Sequence, residues 1–237
     1  MKKLGITGSS GFLKNLLIKK LKKKKIHYSS FKGNITKINE IKKWLNDEEN
    51  IDYIFHFAAY TSVLKSNENK KKSYNTNVLG VKNLLKSIIQ SQKKIFLFFP
   101  SSSHVYKFSK KPITEKSKLL PITYYGKTKL LAEKEIRLIK DNRINFFIGR
   151  IFSIFHKTQK KPFLYPSIKD KIKRLKSKKI FIKNGNCVRD FSNAEKIIKI
   201  ILQIYNKKLR GVYNIGSGKG TSIKDFIYKN ISKKKEI

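Results

Sequence analysis

Lys3-Leu4-Gly5-Ile6-Thr7-Gly8-Ser9-Ser10-Gly11-Phe12-Leu13 decides the fold. Lys3–Thr7 reads as a strand. Gly11–Leu21 reads as a helix, with Leu13, Leu16, Leu17 and Leu21 on one face. Thr7-Gly8-x-x-Gly11 therefore stands between a strand and a helix. Glycines there let a backbone approach a phosphate, and the helix N-terminus offers free N–H groups and a favourable dipole. Lys14 stands where a third small residue usually permits close helix–strand packing, so its stem is expected to snorkel outward or the loop to splay.

Outward from this loop, strand and helix patterns alternate, which is the signature of a parallel sheet covered by helices. Strands are expected at Ile26–Phe31, Ile51–Phe57, Ile95–Phe99 and Asn145–Arg150. Helices are expected at Ile38–Leu45, at Asn77–Ile89 with Val78, Val81, Leu84, Leu85 and Ile88 inward, and at Tyr125–Ile139. After Arg150 the pattern loosens. It then predicts a helix near Ser167–Leu175, a strand at Ile180–Lys183, a helix at Ala194–Ile204, a strand at Val212–Ile215 and a last helix from about Ser222. The expected division is a nucleotide-binding domain over 1–150 and a small lobe over 151–237.

The 237 residues are 39% hydrophobic and 12% aromatic, enough for one sizeable core. The formal net charge of +41 suggests a nucleic-acid partner, but its make-up points elsewhere. Arginine supplies only Arg137, Arg143, Arg150, Arg174, Arg189 and Arg210 of the 56 basic residues. Readers of nucleic acid lean on the arginine fork. Here lysine covers nearly every polar face, and Lys, Ile and Asn share A/T-rich codons. No specific nucleic-acid partner is expected. Cys187 is the single cysteine, so neither an internal disulfide nor a cysteine-based metal site is expected. No apolar run reaches the ~18 residues of a membrane span. The chain opens on a strand without a signal-peptide core, and a reducing cytoplasm is the expected compartment.

Chemistry is carried by Ser101-Ser102-Ser103-His104-Val105-Tyr106, directly after the fourth strand, and by Tyr125-Gly126-Lys127-Thr128-Lys129. Serines at a strand's C-terminal end lie where open α/β sheets place their ligands. Tyr125 and Lys129, four apart, share one helix face. A free tyrosine has a pKa near ~10, and a nearby ammonium favours its phenolate. His56-Phe57-Ala58-Ala59 ends the third strand, where Ala58 and Ala59 leave room for a ligand and His56 reads as a packed histidine.

With these elements in register, the chain resembles the extended short-chain dehydrogenase/reductases, the NAD-dependent epimerase/dehydratase group acting on nucleotide sugars. Thr7-Gly8-Ser9-Ser10-Gly11-Phe12-Leu13 is similar to its glycine fingerprint, and Asn77-Val78-Leu79-Gly80 to its Asn-Val-x-Gly helix. Gly33-Asn34-Ile35-Thr36 resembles its adenine segment, with Asn34 replacing the usual aspartate. Tyr125 through Glu133 is similar to its Tyr-Gly-x-Ser/Thr-Lys-x-x-x-Glu, Arg189-Asp190-Phe191 to its diphosphate-contacting segment, and Tyr213-Asn214-Ile215-Gly216 to the strand beyond.

The resemblance implies a Rossmann-type α/β fold, a doubly wound parallel sheet with a small C-terminal substrate-binding lobe. It implies NAD or NADP, held by Gly8, Ser10, Gly11, Phe12, Leu13, Asn34, Ile35, Ala58, Ala59 and Asn77. It implies catalysis by Ser102, Tyr125 and Lys129 on a nucleotide-diphosphate sugar contacted by Ser103 and Arg189, with no metal and a homodimer as candidate assembly. No carboxylate follows the second strand, and Lys32 suits a 2′-phosphate, so both dinucleotides stay open. Ser103 and His104 replace the acidic residues of 4,6-dehydratases, which points away from dehydration. Ser153 replaces a usual asparagine, and relatives continue for several elements past Gly216-Ser217-Gly218. Epimerase and 4-keto reductase both remain, beside an inactive dinucleotide-binding sensor or scaffold.

Overall fold

A computed structural model describes residues 3–8, 11–174, 181–182 and 184–231. By contacts the chain divides into two units, the first built from residues 1–151 and 201–214, the second from 152–200 and 215–237.

The first unit holds a six-stranded sheet in the order β2-β1-β3-β4-β5-β8. Its strands are β1 (Lys3–Thr7), β2 (Tyr28–Ser30), β3 (Ile51–His56), β4 (Ile95–Ser102), β5 (Ile144–Ile151) and β8 (Gly211–Ile215). The β1–β2, β1–β3, β3–β4 and β4–β5 pairs are parallel. Parallel strands must be joined by crossovers. Those crossovers carry α1 (Phe12–Lys23), α2 (Ile38–Asp47), α3 (Val63–Glu68), α4 (Lys70–Tyr74), α5 (Gly80–Gln90) and α6 (Tyr124–Arg137). The central strands β3, β4 and β5 are mostly apolar runs, as strands covered on both faces require. Ile54, Leu97, Phe99 and Ile148 from the sheet pack with Ile41, Leu45, Val81, Leu84, Ile88, Ala132 and Ile136 from α2, α5 and α6.

Strand order reverses between β1 and β3, so the ends of β1, β3 and β4 flank the crevice where open α/β sheets bind ligands. The pairing of β4 with β5 runs unbroken from Ile95–Ile144 to Ser102–Ile151 and delivers Ser102 to that rim. Several details differ from the sequence reading. β2 is shorter than Ile26–Phe31. The buried face of α1 is Lys14, Leu17 and Leu21, with Leu13 and Leu16 half-buried, so Lys14 points inward. α5 is preceded by a π-helical turn, Asn75–Leu79, whose wider spacing the periodicity of Asn77–Ile89 does not announce.

The second unit carries a three-stranded sheet, β6-β7-β9, of β6 (Ser153–Phe155), β7 (Val188–Asn193) and β9 (Gly220–Ser222). Its core gathers Ile172 of α7 (Leu164–Arg174) and Ile223, Phe226 and Ile227 of α9 (Ile223–Asn230). Phe191 stacks on Phe226 at 3.9 Å between ring centroids. The unit boundary falls within α8 (Ala194–Lys207). The strand expected at Ile180–Lys183 falls partly outside the described residues, since Ile180 and Lys183 are not described, and Phe181 and Ile182 form no strand. Among the described residues no helix is long and apolar enough to cross a membrane.

Candidate functional site

Three chain segments build the rim of the first unit. The first is the glycine turn. Gly8 has φ +96°, and a Cβ there would lie 2.8 Å from the Phe57 carbonyl carbon and 2.9 Å from the Ala58 nitrogen. Only glycine permits this approach of the β1 end to the β3 end. Thr7 closes the same junction: its Oγ1 accepts from the Ala58 N–H at 3.2 Å and lies 2.9 Å from His56 Nδ1. Burial pushes the His56 imidazolium down to about 3, with the Lys129 charge acting in the same direction, so His56 is a neutral packed residue. Gly11 is the N-cap of α1, Phe12 and Leu13 form its first turn, and Ser10 lies outside the described residues.

The second segment is the brace around Asn77. Its Oδ1 accepts from the Tyr60 N–H at 2.7 Å, while Nδ2 donates to the Tyr60 carbonyl at 3.2 Å and to Thr128 Oγ1 at 2.9 Å. Both amide hydrogens are thus used inside the protein. They fix the chain just after Ala58 and Ala59, which are half-buried, against α6. Asn34 is exposed; its Oδ1 accepts from the backbone and hydroxyl of Thr36, and its N–H donates to Glu40 at 2.6 Å. Ile35 is buried against Gly80.

The third segment places the hydroxyls. Thr123 caps α6, accepting from the Gly126 N–H at 3.0 Å, and so starts the helix one residue before Tyr125. Gly126 lies against the His104 carbonyl oxygen so closely that no Cβ fits. This contact seats α6 on the 3₁₀ turn Ser103–Val105 after Ser102. The Ser102 hydroxyl accepts from the His104 N–H at 3.3 Å and faces the Tyr125 phenol closely enough to act on its pKa. His104 meets the Tyr125 ring edge-on at 5.8 Å, and Ser103 is half-buried in the same turn. Burial pushes the Tyr125 phenol up to about 12, and the Ser102 hydroxyl pulls the other way. Lys129, one turn on, is 2% exposed with its Nζ 3.9 Å from the Phe99 ring centroid. Burial lowers its ammonium to about 7, opposed by the Glu133 carboxylate.

A lysine with a depressed folded pKa carries a definite sign. The unfolded chain binds more protons between about 7 and the ordinary 10.5, so the native state gains stability as pH rises through that window. Lys129→Met is therefore expected to melt roughly 5 °C higher than wild type at pH 6, an advantage that disappears by about pH 10. A difference in melting temperature that stays constant from pH 6 to 10 would contradict a strained ammonium.

Beneath the hydroxyls lies a network that joins motif residues Ser101, Tyr106, Glu133 and Asn214 through Arg150, which no motif includes. Ser101 donates to the Glu133 carboxylate, and Arg150 clasps that carboxylate through Nε at 3.1 and 3.2 Å and Nη2 at 2.7 Å. Arg150 Nη1 donates to the Tyr106 hydroxyl at 3.0 Å, and that hydroxyl donates to Asn214 at 2.7 Å. Arg150 and Asn214 lie far apart in sequence, and no spacing rule joins them.

In the second unit, Arg189 is exposed on β7. The Asp190 carboxylate accepts from the Ser217 N–H, the Ser217 hydroxyl and the Gly218 N–H, each at 2.8 Å, and is a turn brace.

A switch-point sheet, a glycine turn at its crevice and a Ser–Tyr–Lys cluster at the end of β4 make up the arrangement of the short-chain dehydrogenase/reductase class. The chain belongs to the GDP-mannose 4,6 dehydratase family, whose model matches residues 5–237, among the extended epimerase/dehydratase members of that class.

It is 41% identical to a UDP-glucose 4-epimerase of Lactobacillus helveticus over 105 residues, 44% of this chain and 31% of that protein. It is 30% identical to a UDP-glucose 4-epimerase of Mycoplasma genitalium over 196 residues, 72% of this chain and 57% of that protein. The chain thus spans between 31% and 57% of the length of these curated relatives. The structure of Thermus thermophilus UDP-glucose 4-epimerase in complex with NAD superposes with a TM-score of 0.81 at 18% identity, over 94% of this chain and 80% of that one, and shares its fold.

Proposed function

We propose that the chain is an NAD(P)-dependent nucleotide-sugar enzyme, a 4-epimerase or 4-keto reductase, acting at the sugar's C4 oxygen. The observation that carries this reading is the convergence of the Ser102 hydroxyl on the buried Tyr125 phenol, with Lys129 one helical turn away. Epimerase relatives and the NAD-bound neighbour point the same way.

The site fits the dinucleotide. The Gly8 approach and the open N-terminus of α1 suit a diphosphate, and Ala58 and Ala59 leave room beside it. A bound nicotinamide supplies hydride exchange. The remaining tasks fall to this chain's own groups. Burial keeps the Tyr125 phenol protonated at neutral pH, ready to give its proton to the C4 oxygen, and Ser102 hydrogen-bonds that same oxygen. Lys129 holds the ribose and, when charged, favours the phenolate that takes the proton back. Ser103 and His104 offer no carboxylate for dehydration. In this reading the protein is a cytoplasmic homodimer.

Incubation with UDP-glucose, UDP-galactose and other nucleotide sugars, with chromatography of the products, tests the reading. Tight dinucleotide binding without conversion of any of them would leave a sensor or scaffold instead.

Arg189 is the substrate contact in this proposal. Its exposed guanidinium is not engaged by Asp190, which is turned to the Ser217–Gly218 brace. Arg189→Ala is expected to raise the sugar-nucleotide KM by roughly tenfold to a hundredfold, the worth of one charge-assisted contact at ~1.5–3 kcal/mol, with dinucleotide affinity unchanged. A variant with wild-type KM would remove Arg189 from the site.

A further inference from the structure

Burying an ion pair is a poor way to hold a core together. Desolvation offsets most of the attraction, and a well-packed apolar pair of similar volume is often as stable or more so. Arg150 and Glu133 nevertheless stand in the first unit with side chains 3% and 1% exposed. What the pair does besides holding the core follows from its place beneath the Ser102 turn.

The Arg150 guanidinium reaches both ends of the segment that carries Ser102. On one side it clasps the Glu133 carboxylate through Nε and Nη2, and that carboxylate accepts from Ser101, the residue before Ser102. Arg150 and Ser101 are also partners in the β4–β5 ladder. On the other side Nη1 donates to the Tyr106 hydroxyl at 3.0 Å, and the guanidinium carbon lies 4.9 Å from the centre of that ring. Tyr106 directly follows the turn Ser103–Val105, and its hydroxyl is held by Asn214 of β8 as well. Ser102 is therefore strung between two points fixed by one side chain. Glu133 in turn belongs to α6, the helix of Tyr125 and Lys129. A planar guanidinium sets the angle between its partners, which a single ammonium does not.

We propose that Arg150 is a positioning residue for the acid/base pair: with Glu133 and Tyr106 it fixes where the Ser102 hydroxyl stands relative to the Tyr125 phenol. At 2% exposure it acts through these residues and not on a ligand. The role rests on the C4 reading above and adds to it a residue that no motif contains.

The apolar double variant Glu133→Leu with Arg150→Met separates holding the fold from aiming the hydroxyl. Most of the stability lost in either single variant is expected to return in it. Its kcat is expected to stay roughly tenfold to a hundredfold below wild type, the scale of an ångström-sized misplacement. The sugar-nucleotide KM and the dinucleotide affinity are expected to stay within about twofold, because the loss falls on the transition state. Tyr106→Phe leaves the ion pair whole and removes one end of the grip; its kcat is expected to fall at least about fivefold with the same split. Both losses are expected to vanish in a Ser102→Ala background, because they act through that one hydroxyl. A double variant with wild-type kcat overturns the role, and where that variant does not fold, Tyr106→Phe with wild-type kcat overturns it. Losses that add in full to that of Ser102→Ala overturn it too, since Arg150 would then act elsewhere. A wild-type protein that binds dinucleotide but converts no nucleotide sugar overturns the C4 reading itself, and the positioning role with it.

Discussion

Tyr125→Phe is expected to lower turnover by roughly a hundredfold to ten-thousandfold, the span of one general acid/base group, with dinucleotide affinity within a few-fold of wild type. The ring is 9% exposed and packs against His104, and both features survive the change. What disappears is the single hydroxyl that faces Ser102. Phenylalanine also removes a buried phenol raised to about 12, so the variant should not be less stable above pH 10, where the unfolded tyrosine ionises and the folded one does not. Stopped-time assays of sugar-nucleotide conversion, beside dinucleotide titrations of both proteins, measure the two expectations separately. Near-normal turnover in the variant would show that another group moves the proton.

The second large effect concerns stability. Glu133→Leu is expected to destabilise the protein by about 3–5 kcal/mol, on the order of 10 °C in Tm. The Glu133 and Arg150 side chains are 1% and 3% exposed, and the carboxylate satisfies both the guanidinium and Ser101. Removing the acid strands a buried cation. The double replacement Glu133→Leu with Arg150→Met should recover much of the loss, because buried pairs are costly to break and often replaceable as a whole. Calorimetry on the two single variants and the double variant completes the cycle. If both single variants melt like wild type, the pair does not hold β4, β5 and α6 together as described.

Much of the first unit is legible in the sequence because each signal is local. Ile95–Phe99 is apolar throughout and could be nothing but a central strand, and the inward residues of Asn77–Ile89 follow helical spacing. All five, from Val78 to Ile88, are buried. Reading fails where tertiary contact overrides period. Lys14 reads as outward because lysine is polar, yet it sits on the buried face of α1. The segment Val63–Tyr74 is too polar to show a helical stripe, and it folds on caps: Ser62 accepts from the Lys65 N–H and Asn69 from the Lys72 N–H. The proximity of Ser102, Tyr125 and Lys129 is foreshadowed by motif spacing. Their protonation is not, since burial alone raises the phenol and lowers the ammonium. The Arg150–Tyr106–Asn214 chain is invisible beforehand because its members meet only when β8 has joined the sheet.

That late joining has a consequence for synthesis. The ribosome releases β5 well before β8, and the intervening residues 152–200 belong to the other unit. Until residues 201–214 emerge, the β5 edge of Ile144–Ile151 is an open, largely apolar ladder, the kind of edge that recruits strands from other chains. At ~5–20 residues per second this exposure lasts for seconds, long compared with hairpin formation or collapse. The dense lysine coat then has a use that binding does not explain: like-charged nascent chains repel one another while their sheets are still unfinished.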